Sequence, residues 1–373
     1  MVTPLPPAPS GVADYVSNIL PSLQKNLDIS LITNQQQLDD QKEAGVFWIH
    51  QLANNIQHSL AYQTAKKYPG LVVLHDLTLS YMMYCLSMEQ GRNEILYREV
   101  EEVYGEAQSS SLRSKLEDGK LENLWSLRFI EGVLEKAKAV LVHNYFAEAT
   151  LRQLGYRGPI FIAPMPYDPM IVQQPLSQRE ARRVLGLPSD SFIIGVFGFL
   201  GPYKRMEVAI PAFRELLHVV PDARLLVAGH IQDHYAEEFR MLMEPVKDSI
   251  TLTGRLKNED WYLSLLSADV CINLRFPTIA ESSAVLSTVL ASGLPCLVSD
   301  LGSYAEIPPG IVAPIPRGRW ELRETGFLLV RLALDDRFRI SMGYHAKKYA
   351  LKSMSPEACV QCYMDAIKQV VKV

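Results

Sequence analysis

Short apolar, β-branched runs alternate along this chain with stretches whose apolar residues recur at helical spacing. In the first half the runs are Ile29–Ile32, Val46–His50, Leu71–His75, Ala139–His143 and Ile160–Ala163. In the second half they are Ile193–Gly198, Ala223–Gly229, Ile250–Leu252, Val270–Asn273 and Pro295–Ser299. Most read as strands covered on both faces, because both side-chain parities are apolar. Strand and helix in alternation predict parallel βαβ units, and no solenoid period interrupts them. Val2-Thr3 reads as the end of a first strand, most of which is missing. The proline-dense stretch from Pro164 to Pro175 disfavours regular structure and reads as a linker. The expected domains are therefore 1–173 and 174–354. Ser177-Gln-Arg-Glu180 fits a capping box, and its helix should stop near Gly186-Leu-Pro188. The segment 96–138 reads as a helical insertion with a solvated charged face, between two strands of the first domain.

Length agrees with that division, since 373 residues suggest two domains. With 48% hydrophobic and 21% charged residues, usage is ordinary for a globular protein. Lys+Arg is 37 against Asp+Glu 41, a net charge of −4, which argues against a nucleic-acid partner. Five scattered cysteines make no disulfide framework and fit a reducing compartment. The apolar runs are too short to span a bilayer, and Met1–Pro7 has neither a charged n-region nor an apolar h-region. The expectation is a cytoplasmic protein, with peripheral membrane contact allowed.

Four places could carry chemistry. The loop Thr3–Ser10 is stiffened by prolines, and Gly11 then allows close backbone approach at a helix start, where free amides attract anions. On pattern alone a plain strand–helix loop is the favoured reading. His75-Asp76 follows a strand, where open α/β sheets bind ligands. His75 there could donate to a phosphate or a sugar hydroxyl, or Asp76 could merely cap the next helix. Gly195–Arg205 runs from a strand through Gly198 and Gly201 to Lys204 and Arg205, like a phosphate cradle without P-loop spacing. A surface basic pair after a turn is the bland alternative. Arg275–Ala284 follows another strand. Ser282 and Ser283 with their amides could hold a phosphate, Glu281 could hold sugar hydroxyls, and the helix should end at Gly293. Glu281 and Ser282 are also ordinary helix-start residues. Cys359-Val-Gln-Cys362 and the His230/His234 pair lack further ligands and are read as structural. No G-x-S-x-G elbow is present.

Taken in order, these motifs resemble the GT-B glycosyltransferases, specifically the retaining family four. The resemblance rests on Pro4–Tyr15, Val73-Leu-His-Asp76, Val142-His-Asn144, Phe197–Arg205, Arg275–Ser283 and Ala291–Asp300. It implies an α/β fold of two Rossmann-like domains facing across a cleft. The first domain would take the acceptor and the second a nucleotide-diphosphate sugar. A C-terminal helix, about 355–373, would cross back to the first domain. It implies donor-binding roles for Gly11, Lys204, Arg205, Arg275, Glu281, Ser282 and Ser283, and catalytic roles for His75, Lys204 and Glu281. No metal and no cofactor beyond the donor sugar nucleotide are implied. Two positions depart from the family pattern. Phe199 stands where an Arg is usual, and the second Glu of the paired-Glu motif, which in the family typically binds the nucleotide ribose, is replaced by Thr288 or Val289, depending on the gap.

The expected activity is retaining hexosyl transfer to a saccharide, lipid-linked or small-molecule acceptor, as in polysaccharide biosynthesis. A catalytically silent binding partner and a sugar-nucleotide epimerase are the competing readings.

Overall fold

The computed structural model describes residues 1–41, 45–89, 93–118 and 120–371. They form two compact units. The first comprises Met1–Pro164, Ile279–Ser282 and Pro356–Val373, and the second Met165–Thr278 and Ser283–Ser355. The division falls after Pro164 rather than at 173. The physical reason is burial: Tyr167 and Ile171 of the proline-rich stretch join the second unit's core, and Pro169–Gln173 is a 3-10 helix.

The first unit is built on a parallel sheet, β1 (Trp48–Leu52), β2 (Gly70–Leu74), β3 (Ala139–Val142) and β4 (Ile160–Ile162), in that spatial order among the described residues. Val2 makes single parallel bridges to Ile32 and to His50, so the expected strand at Ile29–Ile32 is reduced to one residue. Leu27-Asp28-Ile29-Ser30-Leu31 keeps an alternation of half-buried apolar and exposed polar residues, yet among the described residues only Ile32 is bridged at this edge. Every residue of β2 and β3 is buried, as expected for strands covered on both faces. The insertion between β2 and β3 is a set of short helices, among them Asn93–Tyr104, Glu106–Glu117 and Glu131–Lys136; Gly119 lies outside the described residues. Helix Pro356–Val371 packs on helix Gly11–Gln24 through the Tyr15 and Tyr363 hydroxyls, 2.9 Å apart. Residues 372 and 373 lie outside the described residues.

The second unit holds a parallel six-stranded sheet. Its strands are β5 (Ile193–Phe197), β6 (Arg224–Ala228), β7 (Ile250–Gly254), β8 (Val270–Asn273), β9 (Cys296–Ser299) and β10 (Ala313–Ile315), in the order β10-β9-β8-β5-β6-β7. The run around Ala313 carries Pro314, which masks its strand character and suits its edge position. The capping box at Ser177 and Glu180 is present, and its helix ends at Val184. The order reverses at β5, with β6 on one side and β8 on the other. Ligands of open α/β sheets bind at such a reversal, beyond the carboxyl ends of the strands.

Candidate active site

In the second unit the chain leaves β5 through a loop pressed against the loop after β6. Gly198 N–H donates to the Ala228 carbonyl at 2.9 Å, and Leu200 N–H to that of His230 at 2.9 Å. The two loops come so close that a Cβ on Gly229 would lie 1.9 Å from the Gly198 carbonyl oxygen. Gly198 in turn lies against Val285, in the first turn of helix Ala284–Ser292. Ser283 caps that helix by accepting the Leu286 N–H, and Gly293 closes it at φ +87°. A short 3-10 turn, Pro202–Lys204, then carries Lys204 into the interior at 2% exposure. Its Nζ donates to the Phe197 carbonyl at 3.1 Å and to Asn273 Oδ1 at 3.0 Å, bridging the ends of β5 and β8 at the reversal point. A buried ammonium and a helix N-terminus thus share one small region beside a glycine loop, which suits a polyanion.

The other expected cations are placed differently. The Arg205 guanidinium pairs with Glu207 and, at 2.8 Å, with the buried carboxylate of Glu321, which also holds Arg317 at 2.8 Å. The charge that the sequence assigned to a phosphate is therefore largely neutralised, because two carboxylates follow at distances the motif does not reveal. Arg275 stacks over the Tyr203 ring, 4.9 Å from its centroid. Thr288 and Val289 are both buried, and Thr288 Oγ1 accepts the Asp168 N–H at 3.0 Å. Neither alignment of the missing Glu leaves a side chain open to a ribose.

In the first unit, His75 ends β2 and His143 ends β3. The two rings are 4.8 Å apart, and Tyr15 presents its ring to both. His75 Nε2 lies 2.8 Å from Gln51 Oε1. The Gln51 amide nitrogen donates to the Tyr363 hydroxyl at 3.0 Å and lies 3.8 Å from the Met1 sulfur, and its oxygen lies toward His75. His75 therefore carries its proton on Nε2 and spends it on Gln51. With Nε2 engaged on Gln51, Nδ1 keeps a lone pair. His143 Nδ1 lies 3.0 Å from the Ala163 carbonyl and must donate to it. Burial holds the His143 imidazole down to about 4, and burial, then His143 and His58, hold His75 well below its ordinary value. Both rings are neutral at neutral pH.

Asn54 caps the helix that follows Asp76. Asp76 Oδ2 accepts the Asn54 N–H at 2.7 Å, and Asn54 Oδ1 accepts the Tyr81 and Met82 amides. Gly11 is exposed at the first position of its helix, and a Cβ there would meet nothing within 4 Å. The segment Ile279–Ser282 belongs to this first unit. Asn144 Nδ2 donates to the Ala280 carbonyl and to Ser282 Oγ, each at 2.9 Å, and Ala280 is held at φ +68°. Glu281 Oε2 accepts the Ile279 N–H at 2.8 Å. Glu281 and Ser282 are thereby tied to the residue after His143, while Ser283 stays with the helix of the second unit. Among the described residues, no group of three His, Cys, Asp or Glu could hold a metal ion, and no helix is long and apolar enough to cross a membrane. Cys359 is buried beside the Tyr15 hydroxyl at 3.3 Å, a packing role.

Residues 177–308, which span the glycine loop, Lys204 and the helix after Ser283, match the family described as glycosyl transferases group 1. That match falls almost wholly on the second unit. YtcC of Bacillus subtilis, which carries a provisional glycosyltransferase name, is 20% identical over 317 residues, 81% of this chain and 74% of YtcC. The lipopolysaccharide core biosynthesis mannosyltransferase LpsB of Rhizobium meliloti is 26% identical over 145 residues, 37% of this chain and 40% of LpsB. Among solved structures, Anabaena HepE, solved with UDP and glucose, superposes with a TM-score of 0.66 at 15% identity, covering 99% of this chain and 98% of HepE. WaaG, a glycosyltransferase involved in lipopolysaccharide biosynthesis, gives 0.62 at 15% identity over 98% of each chain. At such identities the likeness carries the fold alone, and that fold is GT-B.

The sequence missed Gln51, Asn273, Glu321 and Tyr363. One signal was available: Gln51 is a polar residue inside an apolar strand, and such a residue is buried only with partners.

Proposed function

We propose that this chain is a retaining group 1 glycosyltransferase that moves a hexose from a nucleotide-diphosphate sugar to a saccharide, lipid-linked or small-molecule acceptor. The observation that carries the reading is Lys204, buried at the strand-order reversal beside a glycine loop whose Gly198 meets the first turn of helix Ala284–Ser292. HepE, solved with UDP-glucose, and the mannosyltransferase LpsB support a nucleotide-hexose donor. In this reading Lys204 and the amides after Ser283 stabilise the departing diphosphate, with Arg275 as a second cation. Glu281 and the Nδ1 lone pair of His75 accept sugar hydroxyls, and Gly11 leaves room for close approach. The acceptor attacks on the face the diphosphate leaves, and a phosphate oxygen takes its proton. Side-chain cations and a helix terminus supply the positive charge, so the proposal needs no resident cofactor. Replacing Lys204 by Ala should lower turnover about 100- to 1,000-fold in a donor-panel assay. A melting scan alongside separates lost chemistry from lost fold, and unchanged turnover in the folded variant removes the assignment.

A second reading has its own observation. The family's ribose carboxylate is replaced by buried Thr288 or Val289, and Arg205 is neutralised by Glu207 and Glu321. Both changes fit a catalytically silent binding partner. Calorimetric titration with UDP, GDP and ADP separates the two, since the silent partner should bind none.

A further inference from the structure

The polar groups of the first unit leave one atom unexplained. His143 Nε2 is buried and has no hydrogen-bond partner among the described residues. The side chain is 7% exposed, and its other nitrogen is committed to the Ala163 carbonyl. A buried acceptor without a partner is destabilising, so a partner is expected in the working protein. The neighbouring groups define its chemistry. His75 gives its proton to Gln51, and its ring lies 4.8 Å from that of His143. Tyr15 presents a ring to each imidazole and keeps its hydroxyl on Tyr363 and Cys359. Asn144, next in the chain, holds the segment that carries Glu281.

We propose that His143 is a substrate-binding residue whose Nε2 accepts a hydrogen bond from a sugar hydroxyl, beside the ring of His75. Two lone-pair-bearing neutral rings repel a phosphate or carboxylate and welcome a neutral hydroxyl donor. The ligand class is therefore a polyol, and the phosphate end of a donor binds elsewhere. The role as part of a transferase site rests on the function proposed above. The hydroxyl-accepting character rests only on the tautomers and on the orphaned atom.

The test follows the imidazole nitrogens by NMR on the full chain labelled with 15N-histidine. UDP-glucose, GDP-mannose, UDP, GDP, free glucose and free mannose are added in turn, with calorimetry on the same samples. Free His143 Nε2 should resonate as an unprotonated ring nitrogen, and a sugar-bearing probe should shift it toward the hydrogen-bonded position. UDP and GDP alone should leave it in place. If a sugar nucleotide binds by calorimetry and Nε2 does not move, this inference fails while the transferase reading stands. If no nucleotide binds but free hexose moves Nε2, the inference stands and the transferase reading fails. If no probe moves it, or the diphosphates alone do, the inference is overturned. Kinetics give a second readout. His143→Asn keeps a donor for the Ala163 carbonyl and removes the Nε2 acceptor. It should lower kcat/KM at least tenfold with little change in melting temperature. His143→Gln, which returns an oxygen near the Nε2 position, should recover part of that loss. Equal kcat/KM in His143→Asn and the wild type counts against the proposal.

Discussion

At the scale of single residues, charge in this protein is mostly spoken for. Glu321 is the clearest case, a carboxylate at 4% exposure holding both Arg205 and Arg317. Glu321→Gln leaves two guanidiniums facing a neutral amide. Both arginines are partly solvated, which discounts the usual cost of breaking a buried pair. Urea unfolding should show a loss of about 1–3 kcal/mol, and a midpoint equal to the wild type removes Glu321 as an electrostatic anchor. The same economy holds at Lys204, whose ammonium is tied to a carbonyl and to Asn273 before any substrate arrives. Such a cation is already oriented and loses little freedom when a diphosphate develops charge.

At the scale of elements, the helix whose first turn faces the glycine loop is fixed at its other end by unusually close packing. A Cβ on Gly343, in helix Asp336–Ser353, would lie 2.3 Å from the carbonyl oxygen of Gly293, the residue that closes helix Ala284–Ser292. Backbone cannot yield as a side chain does, so Gly343→Ala should destabilise by about 1–3 kcal/mol. Differential scanning calorimetry checks this, and a wild-type melting temperature would contradict it. Much at this scale was legible in the sequence. The apolar runs at β2, β3 and β5, the Ser177 capping box and the Gly293 stop carry their structure in local pattern. The strand at Ala313–Ile315 was not legible, since Pro314 speaks against a strand unless the edge position is known. The candidate site was legible only where a motif follows a strand. His75 and Lys204 could be located from local sequence. Gln51 and Tyr363 could not, since their pairing joins positions 312 residues apart. The membership of Ile279–Ser282 in the first unit was hidden for the same reason.

At the scale of the whole molecule, the first unit buries an unusual load of imidazole. Burial holds His50, His58 and His143 down to about 4, and His75 well below its ordinary value. An unfolded chain takes up these protons first, near the ordinary histidine value of about 6.5. The stability tied to the neutral rings is therefore present above that value and is lost as pH falls toward 4. Three such groups at about 1.4 kcal/mol each per pH unit give a steep slope within that window. Circular dichroism melts between pH 7 and 4 should show a falling midpoint, and a flat profile would sink the claim. Chain order adds a consequence for biosynthesis. The first unit needs helix Pro356–Val371, which supplies the Tyr363 hydroxyl to Gln51 and Tyr15. At about 5–20 residues per second, a ribosome that has made residue 164 needs roughly 10–40 s more to reach residue 363. The sheet that carries the histidines is translated first, yet the hydrogen bonds that orient Gln51 beneath His75 are the last to form.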